Sequence, residues 1–267
     1  MRTLGIVGAG AIGQALLHGL QAGKAPYDIW AATRTSESAA RIARDFRIAA
    51  TERYEDLVPG SDVILVCVKP AQIERALGRL RDGGITKKTL VISVAAGVTI
   101  AELERNLGDE IPVVRAMPNV PALVGEAMTV IARGRHVTKE GAAESAEIFR
   151  KVGRCIELAE QHLNAVTAIS GCGPAYVFLI IEALADAGVS VGLPRDVARE
   201  LVAQTVLGSA RMVQSSERHP AAMRDDVATP AGCTIGALLV LEDGKIRSVL
   251  ARAVAEATRI AATLGQR

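Results

Sequence analysis

Apolar and polar positions change rhythm once along this chain. Through the first half, short apolar runs alternate with stretches of helical period. Thr3–Val7, Ile29–Ala32, Val63–Val68, Thr89–Ser93, Val113–Ala116 and Ala127–Ala132 read as strands, with Ile48–Ala50 a weaker one. Several are continuous apolar runs, the pattern of strands buried on both faces. Between them, Ile12–Ala22, Ser36–Phe46, Ala71–Arg81, Ile100–Leu107 and Lys139–Val152 read as helices. That alternation predicts a parallel sheet covered on both sides.

After about Leu163 the strands stop. Ala175–Ala187 reads as a buried helix, and Pro194 opens another. Ala198, Leu201, Val202, Thr205 and Val206 form its apolar stripe, with Arg195, Asp196, Arg199 and Glu200 off it. Ile235–Leu241 and Ile246–Leu264 complete the chain. No Pro/Gly/Ser-rich linker or repeat intervenes. The expectation is an α/β protein, with a doubly wound Rossmann domain over residues 1–160 and an all-α domain over 161–267. The helical half carries more apolar surface than its size can hide. Pairing with a second copy would bury the excess.

Composition narrows the function. The chain has 267 residues, a net charge of +2 and only 3% aromatics, so it lacks the basic footprint and stacking rings of a polynucleotide binder. Glycines interrupt the apolar N-terminus, which makes it poor signal-peptide material. Tyr176–Val191 is cut by Glu182 and Asp186 and falls short of the ~20 apolar residues of a membrane span. The expectation is a soluble, cytoplasmic protein with no membrane partner. Four cysteines, Cys67, Cys155, Cys172 and Cys233, lie far apart without a CxxC, which argues against a metal site or a disulfide framework.

Gly8-Ala9-Gly10-Ala11-Ile12-Gly13 is a G-x-G-x-x-G between a strand and a helix, the context in which that pattern binds a dinucleotide. Gly8 permits the tight turn, Gly10 lets backbone approach a pyrophosphate, and Gly13 lets helix and strand pack. The N–H groups around Ala11 and Ile12 then face the phosphates. An NAD site usually places an acid at the end of the second strand. Here the sequence reads Ala32-Thr33-Arg34-Thr35-Ser36. Hydroxyls plus Arg34 suit a 2′-phosphate, so NADPH is favoured and NADH use stays open. Arg34 as a plain surface charge is the alternative.

Four histidines, His18, His136, His162 and His219, are isolated, and no G-x-S-x-G elbow is present. A nicotinamide would therefore supply most of the chemistry. Val68-Lys69-Pro70 and Arg115–Pro121 follow strands on the carboxyl edge, where such sheets bind ligands. Thr229–Ile235 is a small-residue turn feeding a helix N-terminus. It reads equally as a carboxylate site or as an ordinary cap with Thr234 serving its own helix.

These motifs, in this order, resemble the pyrroline-5-carboxylate reductase family. The resemblance spans nearly the whole chain. It rests on the glycine loop, on Val68–Pro70, Val91–Ile100 and Met117–Asn119, and on Ser170–Tyr176, Glu182–Gly188 and Gly192–Arg195. The stretch Asp225–Ile235 is the most diagnostic. The resemblance implies NAD(P)H-dependent reduction of L-1-pyrroline-5-carboxylate to L-proline, the last step of proline biosynthesis. It also implies a homodimer through the helical domain, with dimers assembling into a decamer. Thr234 matches the threonine that hydrogen-bonds the pyrroline nitrogen. Ala231, Gly232 and Cys233, with Thr234, would hold the substrate carboxylate, and Glu160 matches a substrate-side acid. Thr33 and Arg34 would approach the 2′-phosphate. Val68, Lys69, Pro70, Ala95 and Asn119 would line the nicotinamide half.

The chain departs from the family in three places: Ala231 where Gly-Gly is usual, Val120 for a commoner threonine, and Tyr54 for an asparagine near the adenosine end. A β-hydroxyacid dehydrogenase is a rival, but Ser170–Val191 lacks the lysine such enzymes carry there. A reductase of a related cyclic imine and a non-catalytic NADP-binding regulator remain as alternatives.

Overall fold

The computed structural model describes residues 2–108 and 110–264. They divide into two compact units, the described residues of 2–172 with 256–264, and residues 173–255. The division falls after Cys172, later in the chain than the expected boundary at residue 160.

The first unit is built on one eight-stranded sheet in the order β3-β2-β1-β4-β5-β6-β7-β8. The strands are β1 (Arg2–Val7), β2 (Tyr27–Ala32), β3 (Ala49–Thr51), β4 (Val63–Val66), β5 (Leu90–Ser93), β6 (Val113–Met117), β7 (Ala127–Arg133) and β8 (Gly153–Glu157). Strand order reverses between β1 and β4, which opens a crevice at their carboxyl ends. The helices are α1 (Ala11–Ala22), α2 (Ser36–Phe46), α3 (Ile73–Asp82), α4 (Ile100–Leu107) and α5 (Lys139–Arg150).

The continuous apolar runs are explained by two cores, one on each face. Leu4, Leu65, Ile92 and Val114 pack with Leu16, Leu20 and Phe149 of α1 and α5. Alternate residues of the same strands, Ile64, Val66, Val91 and Val113, pack with Leu77, Leu80 and Leu103 of α3 and α4. Side chains alternate across a strand, so a strand covered on both faces must be apolar at every position.

Two features correct the sequence reading of this unit. The sheet is mixed, because β7 runs antiparallel to β6. Residues 118–126 join them and are too few for the dozen or more of a parallel crossover. The strand β8 was not anticipated. It pairs with β7 at the sheet edge, where charged Arg154 and Glu157 break up the apolar pattern.

The chain then enters a short 3₁₀ turn, Glu160–His162, followed by α6 (Leu163–Val166) and a π turn, Thr167–Gly171. The second unit opens with α7 (Gly173–Ser190) and α8 (Arg195–Gln214). Arg195 Nη1 meets Asp186 Oδ1 at 2.6 Å across that helical pair. There follow α9 (Pro220–Val227), also unanticipated, α10 (Cys233–Asp243) and α11 (Ile246–Ala261), whose last residues, 256–261, belong to the first unit. The three consecutive charged residues Arg224, Asp225 and Asp226 leave α9 without an apolar period. Pro220 at its first turn, and His219 Nδ1 accepting from Ala221 N–H, start it. The helical run Glu160–Ser190 is long and apolar enough to cross a membrane by length and composition alone. The shorter reading of 176–191 missed this, because the 3₁₀ and π turns continue the run upstream.

Candidate active site

The glycine loop leaves β1 and opens α1, and its three glycines answer to different demands. Gly8 has φ +89°, in the left-handed region, and its N–H donates to Ala32 O at 2.7 Å. A side chain at Gly13 would strike Gly8 O, so helix and loop could not close. At Gly10 a Cβ would meet nothing within 4 Å. The fold does not require that glycine, whereas a closely approaching ligand would. Gly10 is also the N-cap of α1 and provides no side-chain cap, so the first N–H groups of the helix, from Ala11 onward, face outward.

Above this loop lies a cleft of about 340 Å³. The structure brings Gly8, Gly10, Thr33, Arg34, Val68 and Lys69 together in its walls. Among the described residues its lining holds three basic side chains, Arg34, Arg41 and Lys69, and no carboxylate. Thr33 is buried and donates its hydroxyl to Thr35 O at 3.1 Å. Thr35 in turn caps α2 by accepting from Ser38 N–H. Tyr54 lines the cleft beneath Arg79, whose guanidinium sits 5.3 Å from the ring centroid. Burial pushes the Cys67 thiol, at the cleft wall, up to about 12. Arg41 and Ser38 were not anticipated. Their signal is a spacing of three on the helix after the second strand, which puts both on one face.

The turns after β4 and β5 continue the carboxyl edge. Val68 is buried, Lys69 and Pro70 are exposed, and Pro70 begins a 3₁₀ turn into α3. Ala95 is buried, and its N–H donates to Ser93 Oγ at 3.3 Å. Asn119 is committed to the scaffold. Its amide donates to Ser170 O at 3.1 Å and accepts from Met128 N–H at 2.9 Å. Glu160 Oε1 accepts from Ile100 N–H at 2.7 Å and from Arg115 Nη1 at 3.1 Å.

In the second unit, Ala231, Gly232, Cys233 and Thr234 form the turn into α10. Ala231 has φ +57°, a left-handed conformation that costs a Cβ-bearing residue about 1–2 kcal/mol. A side chain at Gly232 would collide with Thr229 Oγ1. Gly232 N-caps α10 without a side-chain bond, and the first intrahelical bond runs from Gly236 N–H to Gly232 O at 3.4 Å. The earlier N–H groups, of Cys233, Thr234 and Ile235, precede that bond and suit a carboxylate. Thr234 lies inside the first turn of α10, whose N-cap is Gly232.

Comparison with known proteins places the chain in a family. The family model for pyrroline-5-carboxylate reductase dimerisation matches residues 160–264, and that for NADP oxidoreductase, coenzyme F420-dependent, matches residues 3–97. A pyrroline-5-carboxylate reductase of Synechocystis is 39% identical over 99% of this chain and 98% of its own. The structure of a pyrroline-5-carboxylate reductase from Coxiella burnetii superposes with a TM-score of 0.90 at 34% identity, covering 97% of this chain and 96% of that one. A Plasmodium falciparum pyrroline carboxylate reductase with NADP bound superposes with a TM-score of 0.87 at 31% identity, covering 99% and 98%. The chain belongs to the pyrroline-5-carboxylate reductase family.

Proposed function

We propose that this chain reduces L-1-pyrroline-5-carboxylate to L-proline with NADPH as the preferred hydride donor. The observation that carries the reading is 39% identity over 99% of the chain to a reductase of that name. The cleft supports the cofactor: an open position at Gly10 for a pyrophosphate, and Arg34 with Arg41 for a 2′-phosphate. NADPH, when bound, supplies the hydride that adds to C5 of the imine.

The chain's own residues bind and polarise. The Thr234 hydroxyl donates to the pyrroline nitrogen, where electron density builds as the C=N bond is reduced. The Cys233, Thr234 and Ile235 N–H groups hold the substrate carboxylate, whereas the Gly232 N–H is already donated to Thr229 O at 3.0 Å. A proton from solvent completes the amine, so no strong base is needed, which fits a site without a motif-spaced histidine. Val68, Lys69, Pro70 and Ala95 border the nicotinamide half.

The exposed apolar residues of the helical unit support a homodimer through that unit. Phe178 is 61% exposed, Leu239 64% and Val240 73% in the single chain. The same pairing accounts for the apolar run 160–190 without a membrane, in a cytoplasmic protein. The resemblance extends this assembly to a decamer.

The test is NADPH oxidation by the purified chain with racemic pyrroline-5-carboxylate, repeated with NADH and with the six-membered imine. Proline formation, faster with NADPH than NADH, is the expected result. Faster turnover of the six-membered imine would move the assignment to a related cyclic-imine reductase. NADPH binding without turnover would favour a regulator.

A further inference from the structure

Glu160 has a place in the fold that no substrate is needed to explain. It lies at the start of the 3₁₀ turn 160–162, yet its carboxylate reaches sixty positions back to the first N–H of α4. The same oxygen takes Arg115 Nη1. The Arg115 side chain is only 7% exposed and that of Glu160 32%. Arg115 sits on β6 directly beside Ser93 of β5.

The helix α4 already has its own start. Thr99 and Glu102 form a reciprocal capping box, with Thr99 N–H donating to Glu102 Oε2 at 2.7 Å and Glu102 N–H to Thr99 Oγ1 at 3.2 Å. Nucleating the helix therefore does not require Glu160. What the long-range bond adds is position, since it ties the start of α4 to β6 and to residue 160. The turn between β5 and α4 is then held at both ends. At its beginning, Val94 N–H donates to Val66 O at 3.1 Å, and Ala95 N–H to Ser93 Oγ. At its end stand Thr99 and Ile100. This turn borders the one after β4, on the side of the switch point away from the glycine loop. In a sheet of this order the two halves of a dinucleotide lie on either side of that point. The glycine loop takes the adenosine half, so the turn 94–99 faces the nicotinamide half.

We propose that Glu160 is a positioning residue: through Ile100 N–H and Arg115 it fixes the turn 94–99 against which the nicotinamide half of the cofactor packs. The proposal rests on the NADP(H)-reductase reading above. It gives Glu160 a role different from the substrate-side acid that the family resemblance implies.

The experiment compares two ligands by titration calorimetry on the full chain. NADPH spans both halves of the site, and 2′,5′-ADP occupies the adenosine half alone. Glu160→Ala should weaken NADPH about tenfold while 2′,5′-ADP stays within about twofold of wild type. Glu160→Gln keeps an acceptor for Ile100 N–H and should recover most of the loss. At saturating NADPH, the KM for the imine should be unchanged in both variants. A raised imine KM with both nucleotide constants intact would overturn the proposal and return Glu160 to the substrate. Equal weakening of both nucleotides would overturn it as mere loosening, and so would wild-type constants throughout. Should Glu160→Ala fail to fold, Glu160→Gln carries the test through the same ratio, with a smaller NADPH loss expected. These constants need no turnover. A chain that binds NADPH but does not reduce the imine would sink the proposed function and still leave this pair tested.

Discussion

At the scale of single residues, the glycine loop separates what the fold needs from what a ligand needs. Gly13→Ala should lower stability, because its Cβ has no room beside Gly8 O. Gly10→Ala should leave the melting temperature unchanged and weaken NADPH binding, because only a ligand occupies the space it would fill. Thermal melts paired with calorimetry check both; a stability loss at Gly10 would contradict this division. The turn before α10 makes a second pair. The left-handed cost of Ala231, about 1–2 kcal/mol, exceeds the ~0.4–1 kcal/mol of chain entropy that glycine restores to the unfolded state. Ala231→Gly should therefore stabilise the protein, by up to about 1.6 kcal/mol. Thr234→Ala removes the proposed donor at the imine nitrogen. It should cut kcat by less than the order of 10² seen for comparable donors, since water can substitute. Arg34→Ala should weaken NADPH and spare NADH, which competition between the two nucleotides reads directly. The positions of Gly8, Gly10 and Gly13 were legible because each pattern position has one physical job. Arg115 and Glu160 were not legible as a pair, because forty-five positions separate them and nothing local signals the contact.

At the scale of elements, α4 carries a pH-dependent start. Burial opposes ionisation of Glu102, but the bonds from Thr99 N–H and hydroxyl outweigh it and hold its carboxyl below the usual carboxylate range. A lowered native pKa contributes stability that is present above the unfolded value, ~4.3. It is lost as pH falls through the native one. Glu102→Gln should therefore flatten part of the stability loss below about pH 4.3, measured by denaturant melts across pH. An unchanged acid limb would contradict it. Helices with full amphipathic periods, such as Ser36–Phe46 and Ile100–Leu107, were readable to the residue. The strand β8 and helix α9 were not, since an edge strand and a short charged helix lack the burial that writes a period into sequence. The antiparallel turn of β7 was hidden for another reason. Strand direction depends on connector length, and residues 118–126 are too few to carry the chain across to a parallel neighbour.

At the scale of the whole molecule, the first unit buries its apolar residues on both sheet faces, whereas the helical unit leaves many of its own exposed. A second copy would cover them. Leu239→Glu should shift the mass measured by light scattering toward monomer and reduce turnover with it; an unchanged mass would exclude this face from the interface. The central claim, hydride delivery to C5 of a five-membered imine, is tested most directly by isotope. Supplied with pyrroline-5-carboxylate and NADPH deuterated at the transferring position, the chain should produce proline carrying a single deuterium at C5. Proline without the label, or no proline from an NADPH-bound chain, would contradict the account.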